Sequence, residues 1–152
     1  MYKVNFDGAI FKDLGVGLGV VIRDSEGMVI GALAERNPLP CSIATVESLA
    51  CRRAVLFAKE MSIFEATIEG DAEIVILALK DGSTSNPKFG HIIQDSPILA
   101  NEFRLCVFSH VKRLGNTVAH YLARKAKSGN ELQVWIESIP DDIVPLVYRD
   151  SL

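Results

Sequence analysis

Three carboxylates and one imidazole stand where chemistry could gather: Asp7, Glu47, Asp71 and His120. Carboxylates brought close together repel unless cations neutralise them. Hard oxygen ligands of this kind suit Mg²⁺ or Mn²⁺. Two such ions support in-line hydrolysis of a phosphodiester, activating water and stabilising charge on the transferring phosphate. Each residue taken alone has a plainer role. Asp7-Gly8 has turn chemistry, Glu47 would favour a helix N-terminus, Asp71 would serve as an N-cap, and His120 would decorate a helix surface. What draws the four together is the order of the elements that carry them.

Val4 and Phe6 alternate with Asn5 and Asp7, so Tyr2 to Gly8 is predicted as a strand with Asp7 within it or at its end. In Gly15 to Arg23, Val16, Leu18, Val20 and Ile22 share one face. Gly15, Gly17 and Gly19 share the other, which predicts very close packing against the glycine face. Asp24-Ser25-Glu26-Gly27 is a turn, and Met28 to Ala34 a third strand, completing an antiparallel meander. A loop, Glu35 to Ser42, leads to a long helix over Ile43 to Met61. There Val46, Leu49, Ala50, Ala54, Phe57, Ala58 and Met61 recur at helical spacing, with Glu47 in the first turn. Phe64 to Gly70 is a fourth strand, ended by Asp71, which caps a short helix to Lys80. A Gly/Ser/Pro loop (Asp81 to Pro87) and a helical stretch (Gly90 to Asn101) follow. A fifth strand spans Phe103 to Val111, and a last helix Asn116 to Lys127, with Ala119, Leu122, Ala123 and Ala126 inward. The tail from Leu132 is predicted to pack on the outside or to form a partner surface.

The order is β-β-β-α-β-α-α-β-α, an α/β chain with a mixed sheet and helices on both faces. If the hairpin precedes a crossover, the ends of the first and fourth strands are neighbours and the helix starts converge beside them. Asp7, Glu47 and Asp71 would then lie within metal-bridging distance.

The 152 residues, 49% hydrophobic and 23% charged, suffice for one real core. Cys41, Cys51 and Cys106 show no zinc or disulfide spacing and fit a reducing, intracellular location. Neither a membrane span nor a signal peptide is visible, and the N-terminus reads as that of a trimmed domain or a fragment. The net charge of −3 argues mildly against nucleic acid, but its distribution argues the other way. Phe103 to Asn130 holds six basic residues and no acid, which leaves −9 on the rest of the chain. Asn116, His120, Arg124 and Lys127 follow i, i+4, i+8, i+11 and share a helix face, with Lys112 and Arg113 just before it. That face is the expected phosphate contact; a solvated helix surface is the competing reading. Gly15-Val16-Gly17-Leu18-Gly19 is not a dinucleotide fingerprint, because residue 20 is Val and a strand follows. No GxSxG, HExxH or Walker motif occurs.

KVNFDGA (Lys3 to Ala9), GLGVVIRDSEG (Gly17 to Gly27), VESLACRRAV (Val46 to Val55), IEGDAEIVI (Ile68 to Ile76) and HVKRLGNTVAHYLARKA (His110 to Ala126) resemble, in order, the ribonuclease H family. The resemblance is to its plant branch derived from retroelement reverse transcriptases, and WIESIPDDIV in the tail is similar to that branch. It implies a ribonuclease H-like fold, with a five-stranded sheet whose first three strands are antiparallel. Residues 1–131 would form the domain and 132–152 its C-terminal extension. It further implies a monomeric endonuclease that cuts the RNA strand of RNA–DNA hybrids with two Mg²⁺ or Mn²⁺ ions. Asp7, Glu47 and Asp71 match the family's metal-binding carboxylates, and Asn116, Lys112, Arg113, Arg124 and Lys127 lie where substrate would pass. His120 stands where the family more often has a fourth Asp. Leu114 departs from the usual Arg-Glu-x-Asn run, and the glycine- and histidine-rich loop before the last helix is missing. His110 is read as a strand residue and is given no part in product release. These departures keep open a second reading: a domesticated retroelement domain that binds nucleic acid or protein with little catalysis.

Overall fold

The computed structural model describes residues 1–12, 15–39, 43–73, 75–77 and 101–151. Strands β1 (Tyr2–Phe11), β2 (Gly15–Arg23) and β3 (Val29–Asn37) form the expected meander. The Asp24 carboxylate tightens the β2–β3 turn by accepting from the amides of Glu26 and Met28, both at 2.9 Å. Helix α1 (Ile43–Glu60) crosses to β4 (Glu65–Gly70), and β5 (Leu105–His110) lies parallel beside it. A 3-10 turn (Arg113–Asn116) enters α2 (Thr117–Lys125). Strand β6 (Leu132–Ile136), a second 3-10 turn (Asp141–Ile143) and α3 (Val144–Ser151) end the chain. The sheet order is β5-β4-β1-β2-β3-β6, with β1 parallel to β4 where the meander meets the crossover half.

Alternation divides the core into two layers. Val4, Phe6, Leu18, Val20, Ile22 and Leu33 pack against Val46, Ala50, Ala54 and Phe57 of α1. On the other side Val21 and Ala32 meet Val118, Ala119 and Leu122 of α2, and Ile143 closes that layer. The glycine face of β2 behaves as its pattern predicts. A Cβ on Gly17 would strike the Ala123 carbonyl, and one on Gly19 would strike the backbone of Ala119 and Ala123. Only glycine lets α2 lie this close to the sheet, which sets the depth of His120 over β1.

Several expectations are corrected. β1 and β3 each run three residues beyond their predicted ends, so Asp7-Gly8 is no turn but mid-strand, paired with Gly19 and Leu18. The tail supplies a sixth strand, antiparallel to β3, in place of an outer extension. The last helix begins at Thr117 and ends at Lys125, which leaves Asn116 in the 3-10 turn and Lys127 beyond the helix. Of the helix expected after Asp71, Glu73 and residues 75–77 are helical. Its remainder, the loop at 81–87 and nearly all of the stretch at 90–101 lie outside the described residues. No helix among the described residues is long and apolar enough to cross a membrane.

Candidate active site

Parallel pairing of β1 with β4 sets Asn5 opposite Glu69. Two residues further along, Asp7 and Asp71 come level, one inside its strand and the other just past Gly70. Glu47 reaches them from α1. It stands beyond the first turn, which holds no acid, so helix-dipole stabilisation does not account for it. Gly8 makes its approach possible: a Cβ there would collide with the Val46 side chain and come within 3.4 Å of Glu47 Oε1. As a result, Asp7, Glu47 and Asp71 each offer a carboxylate oxygen, all within 4.8 Å of one another.

Asp7 is 3% exposed, and burial together with the charge on Asp71 raises its carboxyl above the usual range. His120 and a backbone hydrogen bond at Gly8 oppose that rise. Glu47 is pushed up to about 9, by burial first, then by the charges on Asp7 and Asp71 and a hydrogen bond with Asp7. Without a cation the cluster holds on to protons because too much negative charge has been taken out of water. Glu47 Oε2 is buried with no hydrogen-bond partner among the described residues. An unsatisfied buried oxygen in a set of hard donors is what a divalent cation such as Mg²⁺ or Mn²⁺ would complete. His120 lies outside the mutual cluster and reaches it through Asp7, with Nδ1 2.9 Å from Oδ2.

A family model described as reverse transcriptase-like matches residues 5–126. The chain belongs to the reverse transcriptase-like family. Its fold is that of ribonuclease H. RNase H1 from the archaeon Halobacterium salinarum is 22% identical with a TM-score of 0.76, over 83% of this chain and 96% of that one. The N-terminal RNase H domain of a Mycobacterium tuberculosis protein is 20% identical with a TM-score of 0.74, over 84% and 98%. LC11-RNase H1, solved in complex with an RNA/DNA hybrid, is 20% identical with a TM-score of 0.72, over 84% and 100%. No curated protein matches the chain.

In this reverse transcriptase-like domain the basic residues are placed unevenly. Lys112, Arg113, Arg124 and Lys127 are exposed, with no ion pair among the described residues. Lys125 instead pairs with Asp142 at 3.5 Å, and Arg104 with Glu65 at 3.8 Å. Arg124 lies one turn beyond His120 on α2, but Lys127, past the helix end, does not continue that row. Asn116 is 1% exposed, which departs from its expected place on a substrate-facing surface. Its amide donates to the Phe6 carbonyl at 2.8 Å and accepts from Asn5 at 3.1 Å, while Asn5 also donates to Glu69 at 3.2 Å. These bonds fasten the start of α2 to β1 two residues before Asp7. The sequence showed that Asn5 and Asp7 share a face; that Asn5 meets Asn116 across 111 residues is visible only in the fold. Leu114, the departure from Arg-Glu-x-Asn, is 89% exposed, and its carbonyl accepts from Thr117 Oγ1 at 2.9 Å.

Proposed function

We propose that this domain hydrolyses the RNA strand of RNA–DNA hybrids, leaving 3′-hydroxyl and 5′-phosphate ends. The observation that carries this reading is the convergence of Asp7, Glu47 and Asp71 within 4.8 Å, with an orphaned oxygen on Glu47. The hybrid seen with LC11-RNase H1 supports the substrate class. Asp7 and Asp71 would hold two divalent ions between them, and Glu47 would hold one of them beside the 2′-hydroxyl. When bound, such ions supply activation of the attacking water and neutralisation of charge at the scissile phosphate. His120, with Nδ1 committed to Asp7, keeps Nε2 to hold a water or, when the ring carries a second proton, to pass that proton to the leaving 3′ oxygen. Discrimination of RNA from DNA rests on 2′-hydroxyl contacts and groove shape. Cleavage of a labelled hybrid with Mg²⁺ and with Mn²⁺, wild type beside Asp7→Asn, tests the reading. Equal cleavage by the two proteins would remove it.

The contact between His120 and Asp7 favours a second reading, a binding domain of low activity, because a neutral imidazole is a poorer Mg²⁺ ligand than carboxylate. His120→Asp should raise Mg²⁺-supported cleavage relative to Mn²⁺-supported cleavage. A ratio that does not move takes His120 out of the reaction.

For grip on the substrate, Lys112 and Arg113 before α2, Arg124 on it and Lys127 just past its end are exposed and have no ion pair among the described residues. Replacing both Arg124 and Lys127 with Ala should weaken hybrid binding and flatten its salt dependence by roughly one to two units. Turnover at saturating substrate should hold, since neither side chain belongs to the carboxylate cluster. Titrations across a range of salt concentrations check this, and an unaltered slope assigns that face to solvent.

A further inference from the structure

Strand β6 is one edge of the sheet, and its outer side is unusual. Hydrogen bonds from Arg36 N to Glu131 O at 2.8 Å and from Glu137 N to Ile30 O at 2.9 Å fix the phase of its pairing with β3. In an antiparallel ladder, alternate residues direct both backbone groups to the same side. Gln133 and Trp135 therefore spend both of theirs on β3, as do the Glu131 carbonyl and the Glu137 N–H at the two ends. Leu132, Val134 and Ile136 point three N–H and three C=O groups away from the sheet, with no partner among the described residues. The same three side chains share a face and are 47%, 44% and 57% exposed. Natural edge strands are usually blunted by charge or proline within the strand. Leu-Gln-Val-Trp-Ile has neither, and its charges stand only at the two ends.

Those end charges select the occupant. Two copies pairing antiparallel about Val134 would set Glu131 of each against Glu137 of the other at both ends, like charge on like charge. We propose that β6 is a docking edge for an extended segment of a partner protein. In that segment, apolar residues at alternate positions would be bracketed by Lys or Arg. The segment adds a seventh strand: the ladder supplies affinity, the Leu132–Val134–Ile136 face selects the apolar positions, and Glu131 and Glu137 select the basic flanks. Two strands, β3 and β2, separate this edge from β1 and the carboxylates, so an occupied edge leaves the cluster open.

The test is amide exchange followed by NMR on the full chain, with an end-blocked peptide of sequence Lys-Lys-Val-Thr-Val-Thr-Val-Lys-Lys and a counterpart with Glu in place of Lys. The Lys-flanked peptide should slow exchange of the Leu132, Val134 and Ile136 amides by about tenfold or more, while Gln133 and Trp135 are protected throughout. Val134→Pro should abolish the effect, since proline is tolerated on an edge strand where the N–H faces solvent. Glu131→Lys with Glu137→Lys should transfer the preference to the Glu-flanked peptide, which keeps the test decisive even if the proline variant does not fold. Three results would overturn the proposal: no protection at millimolar peptide, equal protection by both peptides, or protection that grows with protein concentration alone, which would assign the edge to a second copy.

Discussion

Asp71→Asn should reduce hybrid cleavage by on the order of 10³-fold while leaving the fold intact. Charge stabilisation at a metal-assisted phosphoryl centre is worth several kcal/mol, and each 1.36 kcal/mol is tenfold in rate. Asp71 is one of three carboxylates in the cluster among the described residues, so its loss removes a third of the charge that they offer to cations. Asparagine caps a helix as well as aspartate does, so the turn after β4 should survive. A second measurement separates lost chemistry from lost structure. A ligand that binds only the native state stabilises it by about 2.7 kcal/mol at a concentration of 100 times Kd. Millimolar Mn²⁺ should therefore raise the Tm of the wild type and raise that of Asp71→Asn far less. Full cleavage by the variant, or a wild-type Tm that ignores Mn²⁺, would sink the assignment of these carboxylates to a metal site.

The layered sheet was legible in the sequence because its apolar faces alternate cleanly. Val4 and Phe6 on β1, and Val16, Leu18, Val20 and Ile22 on β2, all lie on the α1 side as their period requires. The glycine row was legible for a related reason: Gly17 and Gly19 leave room for the α2 backbone at contact distance, while Gly15 is there for a different reason, its positive φ of 91°. β6 was not, because Leu132, Val134 and Ile136 are exposed while Trp135 packs inward. A strand apolar on both faces has no contrast from which to read its period. Asp7-Gly8 resembled a turn because the pair suits turns. What places it mid-strand is the need for a residue without a side chain where Val46 and Glu47 close on β1, a tertiary demand invisible locally. The approach of Asp7, Glu47 and Asp71 followed from element order. The lock between Asn5 and Asn116 did not, since it depends on how far α2 descends onto β1.

Glu47→Gln should abolish cleavage and at the same time stabilise the metal-free protein. In the folded chain the Glu47 carboxyl is pushed up to about 9, against 4.5 as its ordinary value. Between those values the native state binds a proton that the unfolded chain has released. Wild-type stability without metal therefore falls as pH rises through this window, by at most about 1.36 kcal/mol per pH unit. Below pH 4.5 the glutamate is neutral in both states and the penalty vanishes. Glutamine is neutral throughout and is close to glutamate in shape. The variant should thus match wild type in acid and exceed it by on the order of 1–3 kcal/mol near pH 7 to 8, or several degrees in Tm. The gain should not add to that of Asp7→Asn, because each substitution relieves the same repulsion. Divalent ions should reverse the order, stabilising the wild type and leaving Glu47→Gln nearly unmoved. Thermal melts across pH, with chelator and with Mn²⁺, provide the check. A variant less stable than wild type at pH 8 in chelator would mean that Glu47 is held by compensating contacts rather than kept ready for a cation.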